Sequence, residues 1–267
     1  MYEILEKRTG TNVRNKERLY LLLFGYCLLF NVYSGSGQNV KDSSLFIPMV
    51  KLSYGAQAPG GDLADRFGWS SAIGLNFSIK TKLNFFFGVD GGFIFGKDIK
   101  EDGILDSIKT SQDFVINQNG NPSDIRLYER GFTLSVHVGM LFNVWAKNKN
   151  SGILVYVGPS YFQHKIKIDD LGHQSPQLVK GYIEGYDRLT AGFGLHEFIG
   201  YAYLGSNRLL NFFAGFDLTQ AFTKSQRSFN FDTRTSDTRS RFDMLSGLRV
   251  GWILPLYSRT PQQFYYH

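Results

Sequence analysis

Apolar and polar residues alternate with period two along most of this chain, in segment after segment. Trp69, Ser71, Ile73, Leu75, Phe77 and Ile79 fall on one face of a strand, opposite Ser70, Ala72, Gly74, Asn76, Ser78 and Lys80. Phe132, Leu134, Val136, Val138, Met140, Phe142 and Val144 repeat the pattern against Thr133, Ser135, His137, Gly139 and Asn143, with Leu141 the exception. Leu248, Val250, Trp252, Leu254 and Leu256 oppose Gly247, Arg249 and Gly251. Such alternation predicts strands with one apolar face. Eight are predicted, over 45–56, 68–80, 83–96, 130–145, 153–168, 187–204, 209–223 and 241–257. In the sixth, Glu197 lands on the apolar face, and a β-bulge beside it is the expected repair.

The connections alternate in length. Those around Lys80-Thr81-Lys82, Lys147-Asn148-Lys149-Asn150 and Gly205-Ser206-Asn207-Arg208 are short; the other four run from about 11 to about 33 residues, the alternation expected of an outer-membrane barrel. A soluble barrel or sandwich would show the same period with its apolar face inward. Side-chain size decides between them. The apolar face carries Trp and Phe while the polar face is rich in Gly, Ser and Ala, which suits a narrow lumen inside and lipid outside. The fold class expected is therefore all-β: an eight-stranded antiparallel transmembrane β-barrel with short periplasmic turns and long extracellular loops. Trp69, Tyr161 and Phe222 at one end, with Tyr201, Tyr203 and Tyr257 at the other, are candidates for its aromatic girdles.

Composition changes this picture mainly at the N-terminus. The 267 residues carry a net charge of +6 and one cysteine. Lys7, Arg8, Arg14, Lys16 and Arg18 precede the apolar run Leu19 to Phe30, and Ser34-Gly35-Ser36-Gly37 follows it. That order reads as a secretory signal peptide over 1–37, with cleavage before Gln38. The barrel then spans 38–257, and 258–267 form a short periplasmic tail, leaving both termini periplasmic. Cys27 lies inside the signal behind Tyr26, where lipidation would want a small residue, so the mature chain holds no disulfide. An exported chain gives its basic balance no nucleic-acid partner.

Two stretches are near copies: LNFFFGVD over 83–90 and LNFFAGFD over 210–217. Alternation turns Asn84, Phe86, Gly88 and Asp90 inward, and likewise Asn211, Phe213, Gly215 and Asp217. Strands three and seven stand on opposite walls of an eight-stranded barrel, so a shared environment explains the likeness, as internal duplication also would. Counted from the strand ends, Lys51, Asp90, His137, His196, Asp217 and Arg249 share one lumen layer. The two bases would balance the two acids, making the layer a structural plug in preference to a proton path or catalytic site.

Other chemistry is sparse. No H-x-x-x-H pair, G-x-S-x-G or phosphate-cradling loop occurs, and neither a metal nor a cofactor is expected. His164 stands where a lipid-modifying barrel hydrolase would place its histidine, with a solvated strand end the commoner explanation. Asp102, Asp106 and Asp113 lack the alternating ligands of a calcium loop and read as a solvated acidic loop. Lys224, Arg227, Arg234, Arg239 and Arg241, set against Asp232 and Asp237, form a basic excess that would either meet lipopolysaccharide phosphates or be loop charge without any such role. Phe264, Tyr265 and Tyr266 in the tail would either dock a partner or simply fray.

The signal ending before Gln38, Gly103-Ile104-Leu105-Asp106-Ser107-Ile108, Asn117-Gln118-Asn119-Gly120 through Asp124-Ile125-Arg126, Gly185-Tyr186-Asp187-Arg188-Leu189-Thr190 and Leu245-Ser246-Gly247-Leu248-Arg249-Val250-Gly251-Trp252 together resemble the small outer-membrane β-barrels of Bacteroidota. The resemblance covers nearly all of the mature chain and extends to PorG-like and OmpA/OmpX-like barrels. It implies a non-catalytic anchor or accessory of an envelope assembly, including type IX secretion and gliding machinery. The alternative it leaves open is a stand-alone surface barrel that binds ligands or lipopolysaccharide through its loops.

Overall fold

The computed structural model describes residues 44–144, 148–172, 175–179, 181–205 and 209–256. The signal segment 1–37, Tyr257 and the tail with Phe264, Tyr265 and Tyr266 lie outside the described residues. Eight strands appear: β1 Ile47–Gly61, β2 Ser70–Lys80, β3 Phe85–Gly96, β4 Ile125–Phe142, β5 Gly152–Asp170, β6 Thr190–Leu204, β7 Asn211–Ser225 and β8 Ser240–Pro255. They pair in sequence order, all antiparallel, and β8 closes on β1. The largest departure from expectation is β4, which starts at Ile125 and pairs with β5 as far as Ile125↔Asp170. Both strands therefore stand taller than the alternating apolar stretch alone predicts.

The registers fix the tilt. Followed strand to strand, a row of partners runs Lys51, Asn76, Asp90, Ser135, Ser160, Gly194, Ala221, Asp243 and arrives at Gly61, ten residues beyond its start on β1. A row that climbs as it circles is the signature of tilted strands, because shear and tilt are linked in a closed barrel.

Side-chain size sorts the two faces as expected. Leu52, Ile73, Leu75, Phe77, Phe87, Phe93, Leu134, Val136, Phe193, Leu248 and Val250 are exposed on the outside, while Ser53, Asn76, Ser78, Asp90, Ser135, His196 and Asp217 are buried within. An exposed belt of this size on a closed sheet suits hydrocarbon, and the chain is a transmembrane β-barrel. Outward rings link up toward the long-loop end: Phe132–Tyr161 at 5.5 Å, Tyr161–Phe193 at 5.3 Å and Phe222–Phe242 at 5.3 Å. Toward the short-turn end Tyr203 stacks on Phe212 at 5.3 Å.

The bulge expected at Glu197 does not form. Val157↔Glu197 and Glu197↔Leu218 sit in uninterrupted registers, so no extra residue turns the side chain inward. Glu197 stays on the outer wall between Leu195 and Ile199. A gap in the β4–β5 pairing lies instead between Ser135↔Ser160 and Val138↔Val157, beside Pro159, which has no N–H to donate.

The long connections fold into a lid. Leu63, Phe67, Ile104, Leu105, Leu178 and Tyr186 from the loops join Ile94, Phe162, Ile166 and Leu245 of the strands in one buried cluster. Phe67 reaches far enough in to stand edge-on to His164 at 5.5 Å.

Inside the wall, backbones approach closely where glycine stands. A Cβ on Gly194 would lie 1.7 Å from the Gln220 carbonyl oxygen, whereas one on Gly91, facing outward, would meet nothing nearer than 3.9 Å. Gly194→Ala is therefore expected to cost about 1–3 kcal/mol of overpacking strain, and Gly91→Ala little. Urea unfolding in lipid vesicles, followed by tryptophan fluorescence, measures both; equal effects would show the register to be wrong.

Candidate functional site

The repeated octapeptide accounts for the centre of the lumen. Its two aspartates converge on one guanidinium: Arg249 Nη1 donates to Asp90 Oδ2 at 3.1 Å, and Arg249 Nη2 lies 3.2 Å from Asp217 Oδ2. Its two inward phenylalanines converge on one ammonium, with Lys51 Nζ 5.2 Å from the Phe86 ring centroid and 5.7 Å from that of Phe213. Tyr156 adds a third ring to Lys51 at 5.7 Å. The repeated glycines leave room for facing rings, since a Cβ would come within 2.8 Å of His137 at Gly88 and within 2.7 Å of Phe198 at Gly215. The asparagines serve the short-turn end, Asn84 accepting from Ser44 Oγ at 2.8 Å and Asn211 from the Gly205 N–H at 2.8 Å.

A hydrogen-bonded chain spreads from Arg249 across the lumen. Asn76 donates to Asp90 at 3.1 Å and Gln57 to Asp217 at 3.1 Å. His196 Nε2 meets Asp217 at 2.8 Å, and His196 Nδ1 meets Ser135 Oγ at 2.9 Å. Seven strands contribute to this chain, and β5 adds Tyr156, which stacks on His137 at 4.3 Å and on Phe198 at 5.0 Å. All eight strands are thus pinned at one level. The six lumen residues expected from sequence are all buried here. Within the layer Arg249 serves both carboxylates, while Lys51 lies among the three rings and His137 makes no hydrogen bond among the described residues. The guanidinium fork can engage two carboxylates at once, and an ammonium among π-faces gains a cation–π attraction instead.

Sequence reasoning missed two further buried sets. Toward the long-loop end His164 Nε2 lies 2.9 Å from Asp243, which also accepts from Thr223. His164 is buried at 1% exposure, which overturns the expectation of a solvated strand end. Glu129 is buried beside Ser70 on the same inward parity. Toward the short-turn end Lys80 donates to Ser44 Oγ at 3.0 Å and Asn150 Oδ1 at 3.0 Å. Strand parity was the available signal. Glu129 shares that of His137, His164 that of Tyr156 and Asp243 that of Arg249. A β4 start placed at 130 hid the first of these.

The loop arginines do not form the free basic patch expected of them. Arg227 binds Asp187 at 2.6 Å and Glu184 at 3.1 Å, Arg239 binds Asp62 at 2.6 Å, and Arg241 binds Asp237. Arg188 joins Asp232 to Glu101, and Arg66 holds Glu101 at 3.0 Å. These pairs tie all four long loops together, because each loop supplies a charge that another neutralises. Of the expected five, Lys224, Arg234 and Arg239 are exposed, Arg239 while paired with Asp62. In the second long loop Asp106 and Asp113 both pair with Lys109, at 3.1 and 2.9 Å. Among the described residues no cluster of three acids, histidines or cysteines is placed to hold a metal ion.

Replacing Arg249 with Met leaves two buried carboxylates facing each other without their cation. A loss of about 3–5 kcal/mol is expected in vesicle unfolding, and a loss under about 1 kcal/mol would contradict the pairing. The lid carries a pH dependence of its own. Burial raises the carboxyl pKa of Asp232, but its hydrogen bond and ion pair with Arg188 outweigh this and hold it below the ordinary 3.8. Asp237 is depressed in the same way against Arg241. Depressed carboxylates stabilise the folded lid above their unfolded pKa and lose that contribution as pH falls through the folded value. Protease cleavage within 97–124 should therefore appear only below about pH 4 and stay absent on raising the pH to 8.

No protein-family model matches the sequence, and neither does any curated protein. Among solved structures, the chain is similar to Neisserial surface protein A, at 13% identity over 78% of this chain and 96% of that one, with a TM-score of 0.39. A major outer membrane protein from Thermus thermophilus matches at 11% identity over 78% and 99%, TM-score 0.41. The outer membrane protein OprG from Pseudomonas aeruginosa matches at 12% identity over 82% and 100%, TM-score 0.36.

Proposed function

We propose that the chain is a closed outer-membrane barrel that works by contact, through its loop lid and outer wall, and neither conducts solutes nor catalyses a reaction. The observation that carries this reading is the side-chain layer centred on Arg249, which reaches every wall of the lumen at one level. An ion crossing it would have to break buried charge-assisted hydrogen bonds. An eight-stranded lumen has little width to spare for a bypass. The paired charges of the lid add a second closure. Planar-bilayer recordings of the purified barrel should show no conductance steps, and regular steps would overturn the reading.

The anionic-lipid contact expected of the lid arginines moves to the outside of the barrel. Arg130, Lys165 and Lys224 lie on the outward parity, a few residues beyond the outward rings Phe132, Tyr161 and Phe222 of their own strands. Bases just past an aromatic girdle stand at headgroup level. Changing these three to Gln should reduce co-purifying lipopolysaccharide by about tenfold. Removing Arg227, Arg239 and Arg241 should loosen the lid and leave the lipid content alone; the reverse outcome would return lipid binding to the lid. A role as anchor of a secretion or envelope assembly would use the same two surfaces. It is tested by which proteins a mild-detergent pull-down recovers from native membranes.

A further inference from the structure

Glu197 is out of place on the wall of a membrane barrel. It lies on β6 four residues from the outward Phe193 of one girdle and four from the outward Tyr201 of the other, at the middle of the membrane-facing stretch. Its outward neighbours on β6 are Leu195 and Ile199, and its cross-strand partners are Val157 and Leu218. No bulge withdraws it. Carboxyl groups at this depth are disfavoured against lipid and mark functional positions when they occur.

The surrounding wall differs from the rest of the exterior. Around β2 to β4 the outward wall carries Ile73, Leu75, Phe77, Phe87, Val89, Leu134, Val136 and Val138, with Gly91 among them and Ser71 as a polar exception that is hydrogen-bonded to Tyr54 within the same wall. On β7 and β8, between the girdle rings, Gln220 and Ser246 also face outward, both next to Leu218. Beside Glu197 the wall holds a depression of about 260 Å³ lined by Val155, Val157, Ile199, Phe216 and Leu218. Leu248 stands out of β8 at 66% exposure, next to the small Ala56 of β1.

Depth relates these features. A row of partners climbs ten residues in one circuit of eight strands, so over the two steps from β6 to β8 equal depth drifts by about 2.5 residues down β8. The residue on β8 at the depth of Glu197 is therefore Leu248, not its row-mate Ser246. A two-fold axis along the membrane normal, passing at β7, would bring β8 of one copy against β6 of the other with depth preserved. The protruding Leu248 then meets the depression at Glu197, and the reciprocal contact forms on the other side. Gln220 lies near the axis, somewhat nearer the long-loop end, with Ser246 at a similar level.

We propose that this wall joins two copies of the chain into a two-fold dimer within the membrane, with Leu248 of each copy seated in the depression of the other. Glu197 exchanges hydrocarbon for hydrogen bonds with the second copy's Gln220 and Ser246. The set is self-complementary, because carboxyl, amide and hydroxyl groups can each donate and accept, as an isologous contact requires. A basic segment of a different membrane protein would satisfy the carboxylate but gives Leu248 and the depression no reciprocal role.

Sedimentation equilibrium of the full chain in density-matched detergent should show a monomer–dimer equilibrium, weakened at least tenfold by Glu197→Leu and by Leu248→Ala. Leu134→Ala, on the opposite wall, should leave it unchanged. Both wall substitutions spare the interior, so heat-modified gel mobility should confirm folding. Two differently tagged copies should also co-purify from native membranes. A wild-type monomer across the concentration range, a dimer indifferent to Glu197→Leu, or membranes in which the barrel holds another protein and never its second tag would each overturn the proposal. Closure of the lumen is read by conductance and stands or falls separately.

Discussion

Everything in this barrel depends on one guanidinium. A sheet closed on eight strands buries whatever its inward positions carry, and Asp90 and Asp217 arrive there from opposite walls as members of a repeated octapeptide. Two carboxylates in that setting need a shared cation with fixed geometry, and Arg249 reaches both. Its forked planar head is what a single ammonium lacks. Once Arg249 is set, Asn76, Gln57, His196 and Ser135 have defined partners, and Tyr156, Phe198, His137 and Lys51 stack around them. The plug is also the register lock, since slipping one strand by a residue would turn its member of the layer out to lipid.

Much of this was legible in the sequence because a membrane barrel reports itself through parity. Which side chains face in or out follows from alternation alone, and the large residues of one parity against the small ones of the other told lipid from lumen. Six members of the lumen layer could be named from their distance to the strand ends. What parity does not contain is distance between walls. Nothing along the chain says that Arg249 reaches both aspartates or that Lys51 ends among Phe86, Phe213 and Tyr156. The upper set of Glu129, His164 and Asp243 was missed for a different reason. Glu129 falls just outside the strand expected from 130, although pairing continues as far as Ile125↔Asp170. His164 and Asp243 lie inside their expected strands on the inward parity, close to ends where solvent is the commoner environment.

Charge in the loops misled for a related reason. Five bases near the last loop look like an anionic-ligand patch when counted along the chain. In space Arg227, Arg239 and Arg241 are matched by Asp187, Asp62 and Asp237, drawn from three different loops. Loop charges so distributed hold a lid together and leave little field for a ligand. The bulge expected at Glu197 failed through the opposite assumption, that a carboxyl on the apolar face must be an error of register. The ladder is regular there, and the outer wall carries the carboxyl.

A barrel of this kind requires an outer wall that faces hydrocarbon and an inner one closed to water. The direct measurement is spin-label accessibility along β7 in lipid vesicles, with single labels at Phe212, Ala214, Phe216 and Leu218 and at the inward Phe213 and Gly215. The outward labels should collide readily with oxygen and poorly with an aqueous nickel chelate, and the inward ones poorly with both. Ready chelate access at the outward positions would mean that this wall faces water, and the barrel would then not span a membrane.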